Sequence, residues 1–271
     1  MPTSPLPRLI GLPYDASSSF LRGAAEAPPI IRAALHSSHW NSWTEQRHNL
    51  AAGLSDAGDL TLSPNGESLA QIERGIAEVL AGGFRPVALG GDHSVTYPII
   101  RALRGHHPAL TILHIDAHSD LYDEFESDRF SHACPFARIM EEGLARRLVQ
   151  VGIRTTNDHQ QRQADRFGVE VIDMRSWESG RRPLALHGDV YVSIDLDGLD
   201  PAFAAGVSHR EPGGLSVREV LTLVQNTGGT LVGADIVEYN PREDVAGLTA
   251  VVAAKLVKEV AGRMLADGAA D

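Results

Sequence analysis

A single cysteine, Cys134, is present in 271 residues, so no internal disulfide can close and nothing in the chain asks for an oxidising compartment. Its neighbour His132 raises the idea of an activated thiol, but an inert buried residue is the simpler reading. Basic residues are scarce as well: 24 Lys and Arg against 35 Asp and Glu leave a formal charge of −11, and no run of cations offsets it locally. A phosphate backbone or an anionic bilayer would be repelled, which argues against nucleic acid and membrane as partners, whereas a small cationic molecule would be attracted. No segment reaches the roughly 18 apolar residues that a membrane span needs. The opening stretch MPTSPLPRLIGLPYD has no basic region leading into a long apolar one, and the expectation is a cytoplasmic protein. Dinucleotide and phosphate-loop glycine motifs are missing, and Gly206-Val-Ser-His-Arg210 departs from a nucleophile elbow at its last position. With no internal repeat, low-complexity tract or interdomain linker, residues 1–271 read as a single domain.

What the chain does have is apolar residues, 43% of the total, arranged in short runs. Seven of these read as strands: from 8 (RLIGLPY), 86 (PVALGG), 111 (TILHID), 148 (LVQVGI), 169 (VEVID), 189 (DVYVSIDLD) and 231 (LVGADIVE). Several are apolar nearly throughout instead of alternating, as strands buried on both faces of a parallel sheet must be. Helical spacing appears over 67–81, 133–147, 216–225 and 247–266, the third opening on a Ser216 to Glu219 capping box. The polar stretch 53–67 reads as a surface loop. Strands alternating with helices predict an α/β fold: three α/β/α layers around a mainly parallel central sheet.

Ligands of open parallel sheets bind at the carboxyl ends of the strands, and those ends are where the unusual residues fall. After the run TIL, the segment HIDAHSDLYD places Asp116, His118 and Asp120 at every second position, pointing the same way along an extended chain. Asp195 and Asp197 repeat the spacing, and His93 follows PVALGGD. Each segment alone would suit a solvated loop or a cap, and as a calcium loop the first one fails, with Leu121 where glycine is needed and Ser127 where glutamate is needed. Together, three distant segments bring four carboxylates and two imidazoles towards one crevice, where they would repel each other without a cation between them. That donor set exceeds the needs of one tetrahedral zinc and suits two manganese-type ions sharing carboxylates.

The same residues resemble the ureohydrolases, the family of arginases, agmatinases and related amidinohydrolases. The likeness is carried by GGDHS (90–94), HIDAHSDLYD (114–123), SHACPFARIMEEG (131–143), SIDLDGLDPAF (193–203) and GADIVEYNP (233–241). Segments 17–35, 206–216 and 248–259 extend it over nearly the whole chain and look more like plant-type than animal arginases. The resemblance implies two Mn2+ per subunit, one held by His93, Asp116, Asp120 and Asp195, the other by His118, Asp116, Asp195 and Asp197. It further implies hydrolysis of a guanidino substrate to urea and an amine. Asp120 would carry a proton to the leaving amine, His132 would shuttle protons at the mouth, and Glu238 would grip the guanidinium through a forked contact. Asn157 and His209 would contact the substrate tail, and the chain would form a homotrimer or a hexamer of trimers. L-Arginine is the expected substrate, with agmatine or another guanidino acid as the alternative, because Thr155 and Asn157 stand where animal arginases have aspartates. A non-catalytic metal-binding relative and a metal-dependent deacetylase are the rival classes. The first is disfavoured by an intact ligand set, the second by the lack of the tyrosine and paired histidines it would want.

Overall fold

The computed structural model describes residues 5–38, 40–63, 66–177 and 184–267. Eight strands form one parallel sheet: β1 (Leu6–Gly11), β2 (Ser55–Asp59), β3 (Phe84–Leu89), β4 (Thr111–Ile115), β5 (Arg147–Ile153), β6 (Glu170–Asp173), β7 (Asp189–Asp195) and β8 (Thr230–Val237). Their order across the sheet is β2-β1-β3-β8-β7-β4-β5-β6. The central strands are buried along almost their whole length, which is why their sequences do not alternate. Helices α1 (Ala27–Leu35), α6 (Val217–Gln225) and α7 (Leu248–Asp267) close one apolar layer with Leu9, Val192 and Ile236. On the other face α2 (Ser68–Ala81), α3 (Thr96–Leu103), α4 (Pro135–Glu141) and α5 (Asp158–Phe167) pack over Ile10, Ile112 and Tyr191. The expected three-layer α/β/α arrangement is therefore present. Among the described residues no helix is long and apolar enough to cross a membrane.

Where sequence and structure differ, the cause is local. The expected loop at 53–67 contains strand β2, Ser-Asp-Ala-Gly-Asp, a composition with low strand propensity that survives because it pairs only with β1 at the sheet edge. Arg8 and Arg32 reach its Ser55, Asp56 and Asp59 side chains. The helix expected over 133–147 stops at Glu141, two residues before Gly143, whose φ of 61° reverses the chain. Helices α1, α3 and α5 add to those anticipated; α5 is mostly polar and is held by an Asn157–Gln160 capping box instead of an apolar stripe. The Ser216–Glu219 box of α6 is formed as expected.

Candidate metal centre

Strands β3, β8, β7 and β4 are neighbours, and the crevice beyond their carboxyl ends collects the ligand-type residues. After β3 the chain turns sharply at Gly90-Gly91; a Cβ on Gly91 would collide with the Tyr14 carbonyl, which accepts the Asp92 N–H at 2.8 Å. That turn delivers His93. Beyond β4, the Asp116 N–H still bonds Val151 O at 3.0 Å, and Asp120 turns inward with a φ of 50°. Asp195 ends β7 and accepts the Asp197 N–H at 2.8 Å, which aims both carboxylates at the crevice. Glu238, just past β8, has a φ of 62°. Left-handed backbone at two non-glycine residues is local strain, and here it lies at the groups that chemistry would use.

The six expected ligands meet in two corners. His93 Nδ1 lies 3.1 Å from one oxygen each of Asp116, Asp120 and Asp195, yet this fully buried nitrogen makes no hydrogen bond. His118 Nδ1 lies 3.1 Å from Asp197 Oδ2 and 3.5 Å from Asp116 Oδ1. A divalent ion bonded at about 2.1 Å separates adjacent ligand atoms by about 3 Å, so the donors fit such an ion in kind and spacing. Electrostatics point the same way. Burial, with the charges of Asp197 and Asp116, pushes Asp195 well above the carboxylate range, and burial raises Asp197 to about 6. Burial alone would lower His118, but Asp197 and Asp116 drive it up to about 12. Acids this crowded need positive charge among them.

The remaining expected residues line a cleft of about 300 Å³ above these corners, with Ser19, Tyr122, Phe125, Thr155, Thr156 and Gln160. His132 is 8% exposed, so it sits inside the wall and not at an open mouth. Its Nδ1 is 2.8 Å from Glu238 Oε1, and its Nε2 is 2.8 Å from Ser19 Oγ. Burial opposes charge on this ring, but Glu238 outweighs it and lifts His132 to about 9. Glu238 also accepts the His93 N–H at 2.9 Å on that same Oε1. Both contacts use one oxygen, so Glu238 presents Oε2 alone, not the fork expected from sequence. Asn157 caps α5 through Oδ1 and donates from Nδ2 to Tyr122 at 2.6 Å, which leaves its amide largely committed. His209 packs near the rings of His118 and His132, at 5.8 and 5.3 Å, and its pKa falls through burial and the nearby His132.

Sequence reasoning missed a layer beneath the ligands. Asp235, Ser193, His114 and Gln150 stand opposite one another in register across β8, β7, β4 and β5, and all four are fully buried. The signal was available: each of these apolar strands carries one polar residue shortly before its end. His114 lies with His93 and Asp116 in a group whose donor atoms are within 4.8 Å of one another, and could pass for a ligand itself. Hydrogen bonding excludes this. Gln150 Nε2, fixed by donating to Ser119 O at 2.7 Å, also donates to His114 Nδ1 at 3.0 Å, so the His114 hydrogen is on Nε2 and points at Asp116 Oδ2, 2.7 Å away. Arg154 is a further anchor, donating to the carbonyls of Asp197, Gly198 and Leu199 and so holding the Asp197 turn.

Known proteins resemble this chain over most of its length. The chain is 46% identical to Arginase 2, chloroplastic/mitochondrial, of Arabidopsis thaliana, over 94% of its own length and 80% of that protein. It is 38% identical to a guanidinopropionase of Pseudomonas aeruginosa over 93% of this chain and 84% of that one. A solved arginase from Medicago truncatula superimposes with a TM-score of 0.91 at 43% identity, covering 97% of this chain and 89% of that chain. The arginase family matches residues 7–262, and with these relatives the chain belongs to the arginase family.

Proposed function

We propose that this chain hydrolyses L-arginine to L-ornithine and urea in a cleft that holds two manganese ions. The observation that carries this reading is the meeting of His93, Asp116, His118, Asp120, Asp195 and Asp197 beside a buried acid with one oxygen unspent. In this reading His93, Asp116, Asp120 and Asp195 hold one ion, and His118, Asp116, Asp195 and Asp197 hold the other. Carboxylate-rich coordination with some imidazole suits manganese. Such a pair, when bound, lowers the pKa of a water towards neutrality, which a delocalised and weakly electrophilic guanidinium carbon requires.

The protein's own groups do the rest. Glu238 Oε2 accepts an N–H of the substrate guanidinium, a charge-assisted bond in a buried setting, and orients its carbon over the carboxylates. Asp120 takes the proton of the attacking water and returns it to the leaving amine. His132, bridging Glu238 and Ser19, exchanges protons between the cleft and its rim.

At the substrate tail, Thr155, Thr156, Asn157 and Gln160 line the wall without a formal charge. Neither the ammonium of agmatine nor the α-ammonium of arginine would find an anionic partner among them, but the carboxylate of arginine would meet the hydroxyls of Thr155 and Thr156. The 46% identity to a plant arginase supports the same choice. The test is urea release by Mn2+-loaded protein from arginine, agmatine, guanidinobutyrate and guanidinopropionate, side by side. Arginine should be the fastest and agmatine weaker. Preference for agmatine by about tenfold or more, some 1.4 kcal/mol, would overturn the substrate assignment. Urea from none of the four would overturn the enzymatic one.

A single catalytic domain over 1–271, assembly as a homotrimer or a hexamer of trimers, and a cytoplasmic location complete the proposal. One sheet built from strands spread between residues 6 and 237 supports the first. Light scattering of the purified chain tests the second.

A further inference from the structure

One buried acid has no part in the reading above. Asp235 on β8 is fully buried and is held by three hydroxyls: Thr96 Oγ1 donates to it at 2.8 Å, Tyr191 OH at 2.7 Å and Ser193 Oγ at 2.7 Å. Ser193 has one hydroxyl proton, and Asp235 takes it. Towards His93 Nε2, 2.9 Å away, the Ser193 oxygen can then only accept. The ring hydrogen of His93 is therefore on Nε2, and the Nδ1 lone pair is turned to the oxygens of Asp116, Asp120 and Asp195. Ser193 and Asp235 are direct partners in the β7–β8 register, so the backbone sets this spacing.

We infer that Asp235, acting through Ser193, is a positioning residue that holds the His93 ring in the one tautomer able to ligate a metal and thereby sets the affinity of one of the two ions. The inference rests on the metal reading above and deepens it. A carboxylate behind a hydroxyl behind an imidazole does two things: it locks the ring, and it polarises the Nε2–H bond, which makes Nδ1 a better donor. Loss of such an outer partner typically weakens a metal about 10- to 100-fold. Tyr191 and Thr96 steady Asp235 but do not touch the histidine link, which separates a positioning role from a packing one.

The experiment titrates metal-free full-length protein with Mn2+ alone, counting bound ions after dialysis and following the EPR signature of a coupled pair. Wild-type protein should bind two ions. Ser193→Ala and Asp235→Asn should each keep one ion at wild-type affinity, bind the other about 10- to 100-fold more weakly, and show a single-ion spectrum at limiting metal. Ser193→Thr, which restores a hydroxyl, should recover the coupled signal. Tyr191→Phe should lower thermal stability and leave the titration unchanged. Two tightly bound ions in a folded Asp235→Asn variant would overturn the inference while leaving the metal reading intact, and so would an equal loss of metal in Tyr191→Phe. Wild-type protein that takes up no divalent ion would overturn both.

Discussion

The two corners of the site are built differently. At His93 the imidazole is 1% exposed, three carboxylate oxygens stand at equal distance, and a hydrogen-bonded row lies behind it. At His118 the imidazole is 24% exposed and faces the cleft, with two carboxylates beside it. The sheet dictates the first corner, whereas the second borders the space into which a substrate enters. One corner is thus specified by burial and the other by access, and the two should respond differently to the same change.

The sharpest way to break the comparison is to delete each imidazole in metal-free protein. His93→Ala removes a fully buried ring packed against His114 and Phe136 and should cost about 3–5 kcal/mol of unfolding free energy, as for a large core side chain cut back to alanine. His118→Ala should cost less than half of that in the same urea titration. Equal losses would show that both corners are equally embedded. Next comes Asp120→Asn, which changes a donor at the closed corner with little change of volume. Turnover should drop on the order of 10³-fold while the urea midpoint stays near wild type.

The pH response of His132 sharpens the contrast from the cleft side. Its pKa in the fold, about 9, is above the ordinary histidine value of 6.5, so the pair with Glu238 stabilises fully below pH 6.5 and is lost as pH rises through 9. In metal-free protein this is worth about 3 kcal/mol at most. His132→Asn should flatten the stability profile between pH 6.5 and 9 by lowering stability below pH 6.5, where the pair is fully formed, and should leave it nearly unchanged above pH 9. The smallest effect is the control: Ser216→Ala removes the α6 cap, far from either corner, and should cost about 1 kcal/mol with an unchanged kcat.

Much of this is legible in the sequence. Strands β3, β4, β7 and β8 announce themselves because covering both faces forces an apolar run, and the ligand residues stand out because they interrupt that run at its carboxyl end. Strand β2 was not legible, since its Asp56 and Asp59 owe their place to β1 and Arg32 and not to their own propensity. Helix α5 was hidden by its polarity. The single available oxygen of Glu238 and the interior setting of His132 depend on contacts between residues 106 positions apart, which no local pattern encodes. Asp235 and Ser193 were visible as polar interruptions, but their meaning required the register that sets them side by side.

That register carries a consequence for how the protein comes to life. Asp235, Ser193, His114 and Gln150 align only when four parallel strands, gathered from widely separated parts of the chain, have all zipped together. Pairings of such long sequence separation are slow to form. The His93 corner should therefore become able to hold a metal only once the middle of the sheet is complete, so that any ion would be taken up at the end of assembly and not during it.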